Sequence, residues 1–164
     1  MDARIGLGYD IHRLAAGRPF VLGGVVLPHA KGPLGHSDGD VLIHAVIDAL
    51  LGAAGRGDIG ALFPDTDPRF KGVSSLRLLD DVMAVLKKRR LRVRHVDVVV
   101  VAERPKIGPH AEAIKAVLGP RLGIPPDRLG IKAKTNEGLG PIGRGQAVAC
   151  WAVALLVPSP RRKK

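Results

Sequence analysis

Residues 35–68 read GHSDGDVLIHAVIDALLGAAGRGDIGALFPDTDP, and this stretch divides into three pieces with different physics. The polar head offers Ser37 or Asp38 as a helix cap, because a short oxygen-bearing side chain can accept an N–H that the first turn leaves unpaired. From about residue 40 to 54, apolar residues recur at helical spacing, with Val41, Ala45 and Leu51 on the apolar side. Beyond it, residues 58–71 are rich in Pro, Gly and Asp and read as a loop, longer than the roughly dozen residues that usually mark a functional segment.

A helix this apolar needs a sheet to lie on, and the flanking sequence supplies strands. Residues 4–9 alternate, and residues 20–22 and 25–27 flank Gly23-Gly24, a two-residue hairpin turn. A second helix is expected over 74–90, its basic last turn suited to the helix dipole. Residues 93–102 form a near-continuous β-branched run, as in a strand covered on both faces. Pro109 can open a helix running to about 118, and residues 129–133 and 146–157 complete the strands. The reading is α/β (α+β): a mixed four-stranded sheet plus a small hairpin, with helices packed on one face. The 164 residues suit one domain, 1–158, followed by a basic tail, 159–164.

The composition narrows the class. Ten of the 26 basic residues lie in two runs, 87–94 (KKRRLRVR) and 161–164; the other 16 nearly balance the 15 acidic ones. The +11 charge is thus local, and a solvated surface accounts for it. Nucleic-acid binding is the weaker alternative, with five aromatics and no recognition motif. The single Cys150 excludes an internal disulfide framework, and its apolar setting points to an inert thiol. The apolar run 147–157 is too short to span a bilayer as a helix, and the first residues lack a leader pattern. A reducing cytoplasm and no membrane partner are expected.

Three constellations can carry chemistry. Asp10 and His12 are two apart, so in an extended segment they face the same way; a hydrogen-bonded surface pair would satisfy the same pattern. His44 lies on the apolar helix, where a core histidine is the plain alternative, with Asp40 and Asp48 one turn away on either side to orient it. Together Asp10, His12 and His44 make a nitrogen–oxygen donor set that zinc tolerates with a fourth position open for substrate. The third, residues 134–145 (KTNEGLGPIGRG), contains a literal G-x-G-x-x-G. A dinucleotide site is rejected, because Pro141 lies inside it and a strand follows. Thr135, Glu137 and Arg144 remain as groups suited to a phosphate and a hard metal ion.

Four runs then make a family resemblance: RIGLGYDIHRL, the 35–68 stretch, AERPKIGPH and KAKTNEGLGPIGRG. The chain from about 4 to 157 resembles the 2-C-methyl-D-erythritol 2,4-cyclodiphosphate synthase family of the non-mevalonate isoprenoid pathway. The resemblance implies a bacterial homotrimer with active sites between subunits. It implies a lyase that cyclises 4-diphosphocytidyl-2-C-methyl-D-erythritol 2-phosphate with release of CMP. It assigns Zn²⁺, or another divalent transition ion, to Asp10, His12 and His44, and Mg²⁺ or Mn²⁺ to Glu137. His36 and Thr135 match transition-state stabilisers. Ser37, Phe63, Pro64, Asp65, Thr66 and Asp67 match contacts to the methylerythritol phosphate, and Asp58 and Gly60, with Ile59 between them, the ribose region, where Asp48 is a weaker match. Ala102, Glu103, Arg104, Pro105, Lys106, Ile107 and Gly108 match the cytosine wall, and Lys134, Asn136, Pro141 and Arg144 further substrate contacts. Pro141 stands where many members have Phe, Gln146 where they have Glu, and Asn136 where Thr is more usual; the first two line a channel that binds isoprenoid diphosphates in some members. Outside this family, a mononuclear zinc phosphohydrolase is the alternative reading of the same ligands.

Overall fold

The computed structural model describes residues 3–160. The basic tail 161–164 lies outside them. Five strands form one mixed sheet in the order β4-β1-β7-β5-β6, with β1 at Arg4–Ala16, β4 at Lys31–Leu34, β5 at Leu91–Val101, β6 at Leu129–Lys134 and β7 at Ala147–Pro158. Only β5 and β6 run parallel; the other neighbours are antiparallel. The hairpin of β2 (Phe20–Leu22) and β3 (Val25–Leu27) stands apart, with Gly23 and Gly24 both at positive φ in its turn.

The four-stranded expectation is therefore corrected to five. The extra strand is β4, whose residues Lys-Gly-Pro-Leu carry no strand signal; an edge position is where a proline can sit in a sheet. β1 is also longer than expected, so Asp10 and His12 lie within it rather than after it.

Helix α1 (Val41–Ala53) lies across β1 and β7. Gly6 and Gly8 allow this: a Cβ at either would fall 1.9 Å from a backbone oxygen, of Ala49 and Ala45 respectively. The absence of those two side chains lets the helix backbone press on the strand. α1 is buried almost all round, with no single apolar side, because α3 (Ser75–Lys88), the short α2 (Ile59–Leu62) and the hairpin cover what the sheet does not. Its cap is Asp40, not Ser37 or Asp38. The Asp40 carboxylate accepts from Ile43 N–H at 3.1 Å and, at 2.9 and 2.7 Å, from Gly23 and Gly24 N–H. One buried carboxylate thus ties the hairpin to the helix start.

The long loop is less irregular than expected, holding α2 and a 3₁₀ turn at Pro68–Phe70. Pro109 sits in a 3₁₀ turn (Gly108–His110) that leads into α4 (Ala111–Leu122). No helix among the described residues is long and apolar enough to cross a membrane.

β1 alternates in an unusual sense. Gly6, Gly8, Asp10 and His12 face the helix layer, while Ile5, Leu7, Tyr9 and Ile11 face outward, with Ile5 73% and Leu7 67% exposed. On β7 Trp151 and Val153 continue the outward apolar surface, and the Trp151 ring lies 4.8 Å from that of Tyr9.

Candidate metal centre and the surrounding pocket

The close approach of α1 to β1 brings His44 over Asp10 and His12. Asp10 Oδ2, His44 Nδ1 and His12 Nε2 form a triangle with sides of 2.9, 3.0 and 3.1 Å. Among the described residues this is the one group of three or more His, Cys, Asp or Glu side chains placed to share an ion.

The protonation pattern of the triangle follows from its neighbours. Burial works against the charge on Asp10, but hydrogen bonds from His12 and His44 outweigh it and hold the carboxyl well below the usual carboxylate range. Burial likewise opposes a charged His44, yet the hydrogen bond to Asp10 and the nearby Asp10, Asp40 and Asp38 charges push its titration upward. Two imidazole nitrogens and a carboxylate oxygen thus converge on one point. When both rings are neutral and present lone pairs there, all three atoms are acceptors, and only a cation satisfies them together. The donor set fits a divalent transition metal.

Nε2 of His44 turns away from this point, towards Ser75 Oγ at 2.9 Å and Ser37 Oγ at 3.0 Å. The carboxylates expected to orient the ring do other work: Asp40 caps α1, and Asp48 accepts Ile59 N–H at 2.7 Å. Ser75 had no signal in the sequence beyond a hydroxyl at a helix start.

A pocket of about 390 Å³ opens over the triangle. It is lined by Asp10, His12, His36, Ser37 and His44 on one side, and by Ile59, Gly60, Phe63, Pro64, Asp65, Phe70 and Leu78 on the other. Asp58, Thr66 and Asp67 are not in its lining. Asp58 caps α2 through Ala61 N–H, and Asp67 caps the 3₁₀ turn while gripping the Arg69 guanidinium.

The expected nucleotide wall is separate. Ala102, Pro105, Lys106, Ile107, Gly108, Pro109, Ala133, Lys134 and Thr135 line a second hollow of about 340 Å³. Arg104 is exposed outside it, and the Glu103 carboxylate turns away to accept Asn136 N–H at 2.8 Å and Gly138 N–H at 3.3 Å. Asn136 braces the same turn by donating its side-chain amide to Leu139 O. Thr135 Oγ1 donates to Glu137 Oε1 at 2.7 Å, and Glu137 itself has a left-handed φ of 50°. A non-glycine residue there is uncommon and costs on the order of 1 kcal/mol.

The glycines that imitate a dinucleotide motif close this turn on itself. A Cβ on Gly143 would lie 2.1 Å from the Gly138 carbonyl carbon. One helical turn, α5 (Gly140–Gly143), precedes β7 where a strand alone was expected. Pro141 and Gln146 line a third cleft of about 620 Å³ with Arg13 and Lys31; Arg144 is exposed and not part of its lining. Cys150 is fully buried, and that burial pushes its thiol far up, leaving it inert at neutral pH.

Comparison with known proteins adds an independent line. The model of the YgbB family matches residues 3–157. A 2-C-methyl-D-erythritol 2,4-cyclodiphosphate synthase of Gloeobacter violaceus is 58% identical over 155 residues, 94% of this chain and 95% of its own. One of Burkholderia thailandensis is 52% identical over 157 residues, 96% and 97% of the two chains. A CDP-bound structure of a synthase of that name superposes with a TM-score of 0.86 at 45% identity, over 94% of this chain and all of the other. The bifunctional IspDF of Campylobacter jejuni superposes with a TM-score of 0.90 at 37% identity. This chain covers 42% of that longer protein, with 94% of its own length matched.

Proposed function

The chain belongs to the YgbB family, and from that membership we propose that it converts 4-diphosphocytidyl-2-C-methyl-D-erythritol 2-phosphate to 2-C-methyl-D-erythritol 2,4-cyclodiphosphate and CMP, a phosphorus–oxygen lyase reaction of isoprenoid precursor synthesis. The observation that carries the reading is the convergence of Asp10, His12 and His44 beneath a pocket roomy enough for a sugar phosphate.

In the reaction an oxygen of the 2-phosphate attacks the β-phosphorus and closes an eight-membered ring. The bond from that phosphorus to the α–β bridging oxygen breaks, and CMP leaves with the electron pair. The attacking oxygen is already anionic, so no side chain need remove a proton. The difficulty is to hold two anions together in line, and orientation can contribute about 7–11 kcal/mol in well-aligned cases. Asp10, His12 and His44 would hold Zn²⁺ or a similar ion, and Glu137 would hold Mg²⁺ or Mn²⁺. Bound there, the two ions would draw charge from the phosphoryl oxygens.

The remaining work falls to the chain. Ser37 and His36 line the pocket and are read as donating to a phosphate, with His36 and Thr135 read as stabilising the transition state. Ile59, Gly60, Phe63, Pro64 and Asp65 line one side of the pocket, Asp58 and Asp67 shape that wall through their caps, and Thr66, between Asp65 and Asp67, is read as a further substrate contact. The 102–108 segment, with Lys134, is read as the cytosine site. Asn136 keeps its turn shaped; Pro141 and Arg144 are read as outer contacts.

The two halves are far apart within one chain. Asp10 pairs with Cys150, which pairs with Val100, which pairs with Ala133, two residues before Thr135. Three strand spacings separate them, about 14 Å, too far to grip adjacent phosphates of one diphosphate. That distance and the outward apolar surface of β1 and β7 both support a homotrimer whose sites are completed by a neighbouring copy. A cytoplasmic enzyme with no nucleic-acid or membrane partner accords with this reading.

The test is to incubate the purified chain with the cytidine diphosphate substrate and Mg²⁺ in ¹⁸O-water. Equal amounts of CMP and an unlabelled cyclic diphosphate are expected; a linear, ¹⁸O-labelled product would instead assign a zinc phosphohydrolase. Mixing His44→Ala with Glu137→Ala chains should recover part of the activity, and no recovery would contradict the shared site.

A further inference from the structure

The triangle of Asp10, His12 and His44 works as a cation site only if the lone pair of His44 Nδ1 points into it, so the proton of that ring must reside on Nε2. Nothing within the triangle enforces this; in metal-free protein the Asp10 carboxylate, 2.9 Å from Nδ1, draws a proton the other way. The enforcement comes from behind the ring.

Ser75 is fully buried, and its hydroxyl makes two contacts. Its Oγ lies 2.9 Å from His44 Nε2, and its O–H donates to Asp38 Oδ1 in a short hydrogen bond. An ionised carboxylate only accepts, so the Ser75 proton is committed to Asp38, and towards His44 the serine oxygen can show lone pairs alone. Only an Nε2–H satisfies this contact, and a neutral ring with its hydrogen there keeps Nδ1 bare.

Asp38 is itself anchored. Its other oxygen accepts Ser75 N–H at 2.9 Å, which caps α3, while its own N–H donates to Val73 O at 3.1 Å. A further bond from Gly72 N–H to His36 O, 2.8 Å, closes the two loops together.

Ser37 also touches Nε2 but cannot enforce the tautomer. Its hydroxyl has no other acceptor among the described residues, so it can equally donate to that nitrogen or turn into the pocket that it lines. The two serines thus differ in kind.

We propose that Ser75, held by Asp38, is a positioning residue: it takes the Nε2–H of His44, fixes that tautomer and leaves Nδ1 free for a divalent cation. This rests on reading Asp10, His12 and His44 as metal ligands. Outer hydrogen-bond partners of metal-bound histidines are typically worth about 10–100-fold in metal affinity.

The experiment compares wild type, Ser75→Ala, Ser75→Thr and His44→Ala by chelator competition for Co²⁺. It also reads the ring protonation of His44 by ¹⁵N NMR in metal-free protein at alkaline pH. Ser75→Ala keeps the Asp38 cap on the α3 backbone and should fold. It should bind Co²⁺ about 10–100-fold more weakly, with Ser75→Thr recovering most of the loss, and wild-type His44 should carry its proton on Nε2. Wild-type Co²⁺ affinity in Ser75→Ala, or a wild-type proton on Nδ1, overturns the proposal. Because the NMR arm uses wild type alone, misfolding of Ser75→Ala does not spare the proposal. Wild-type affinity in His44→Ala overturns the ligand assignment itself, and loss there with none in Ser75→Ala overturns only the role of Ser75.

Discussion

The Asp10–His12–His44 cluster and the Thr135–Glu137 turn occupy the same level of the sheet, three strands apart, and are built in opposite ways. In the cluster each part is held from behind. α1 is pressed on Gly6 and Gly8, the His44 ring is backed by Ser75 and Ser37, and Asp10 is held ionised by the two imidazoles. In the turn the backbone is braced by Glu103 and Asn136, but the Glu137 carboxylate is exposed, accepts from Thr135 and stands on a left-handed residue. One half is preorganised; the other presents an exposed carboxylate whose side-chain partner is Thr135. A transition-metal site needs fixed geometry, whereas Mg²⁺ keeps several waters and uses one or two carboxylates with substrate phosphates.

This contrast can be broken by substitution. The largest effect is expected for His44→Ala, which should fold but lose the transition metal and about a thousandfold or more of turnover. Turnover at the wild-type rate would remove His44 from the chemistry. Next comes Gly8→Ala, which adds one methyl where the Ala45 carbonyl already lies. Overpacking of this kind costs about 1–3 kcal/mol, and the shifted α1 should weaken metal binding as well, read by thermal melting with and without Zn²⁺. A variant with unchanged melting and zinc affinity would show that the close helix–strand contact does not set the site.

Glu137→Gln should act more mildly and elsewhere. Its turnover is expected to fall about 10–100-fold with a raised Mg²⁺ requirement, while zinc binding stays intact. An unchanged Mg²⁺ response would move the second ion to other ligands.

The last effect concerns pH. In metal-free protein the His44 pKa is raised above the ordinary imidazole value, so its pairing stabilises the fold at low pH, below about 6.5, and that contribution disappears as pH rises through the raised value. Asp10, with a lowered pKa, contributes above the ordinary carboxylate range and loses that contribution only in strong acid. A divalent cation must displace the His44 proton, so metal affinity should drop about tenfold for each pH unit below the His44 pKa. Affinity flat between pH 8 and 5 would mean that no proton is released.

The site was more legible in the sequence than the sheet. Asp10, His12 and His44 could be named because an extended i, i+2 pair and one helical imidazole are patterned, and long family-like runs surround them. The fifth strand was missed because Lys31–Leu34 has no alternating apolar residues and becomes a strand through its pairing to β1. The orienting partners of His44 were misassigned for a related reason. Helical spacing nominates Asp40 and Asp48, but Ser75 reaches the ring from another helix, 31 residues away, through packing that no local pattern encodes. Gly6 and Gly8 belong to the same class, since their meaning depends on what lies across from them.

Zinc titration followed by X-ray absorption tests most directly whether the triangle holds an ion. One zinc per chain is expected, bound by two imidazole nitrogens and at least one oxygen at about 2.0–2.1 Å and lost in His44→Ala. A zinc that survives in His44→Ala, or one with a sulfur ligand, would contradict the assignment.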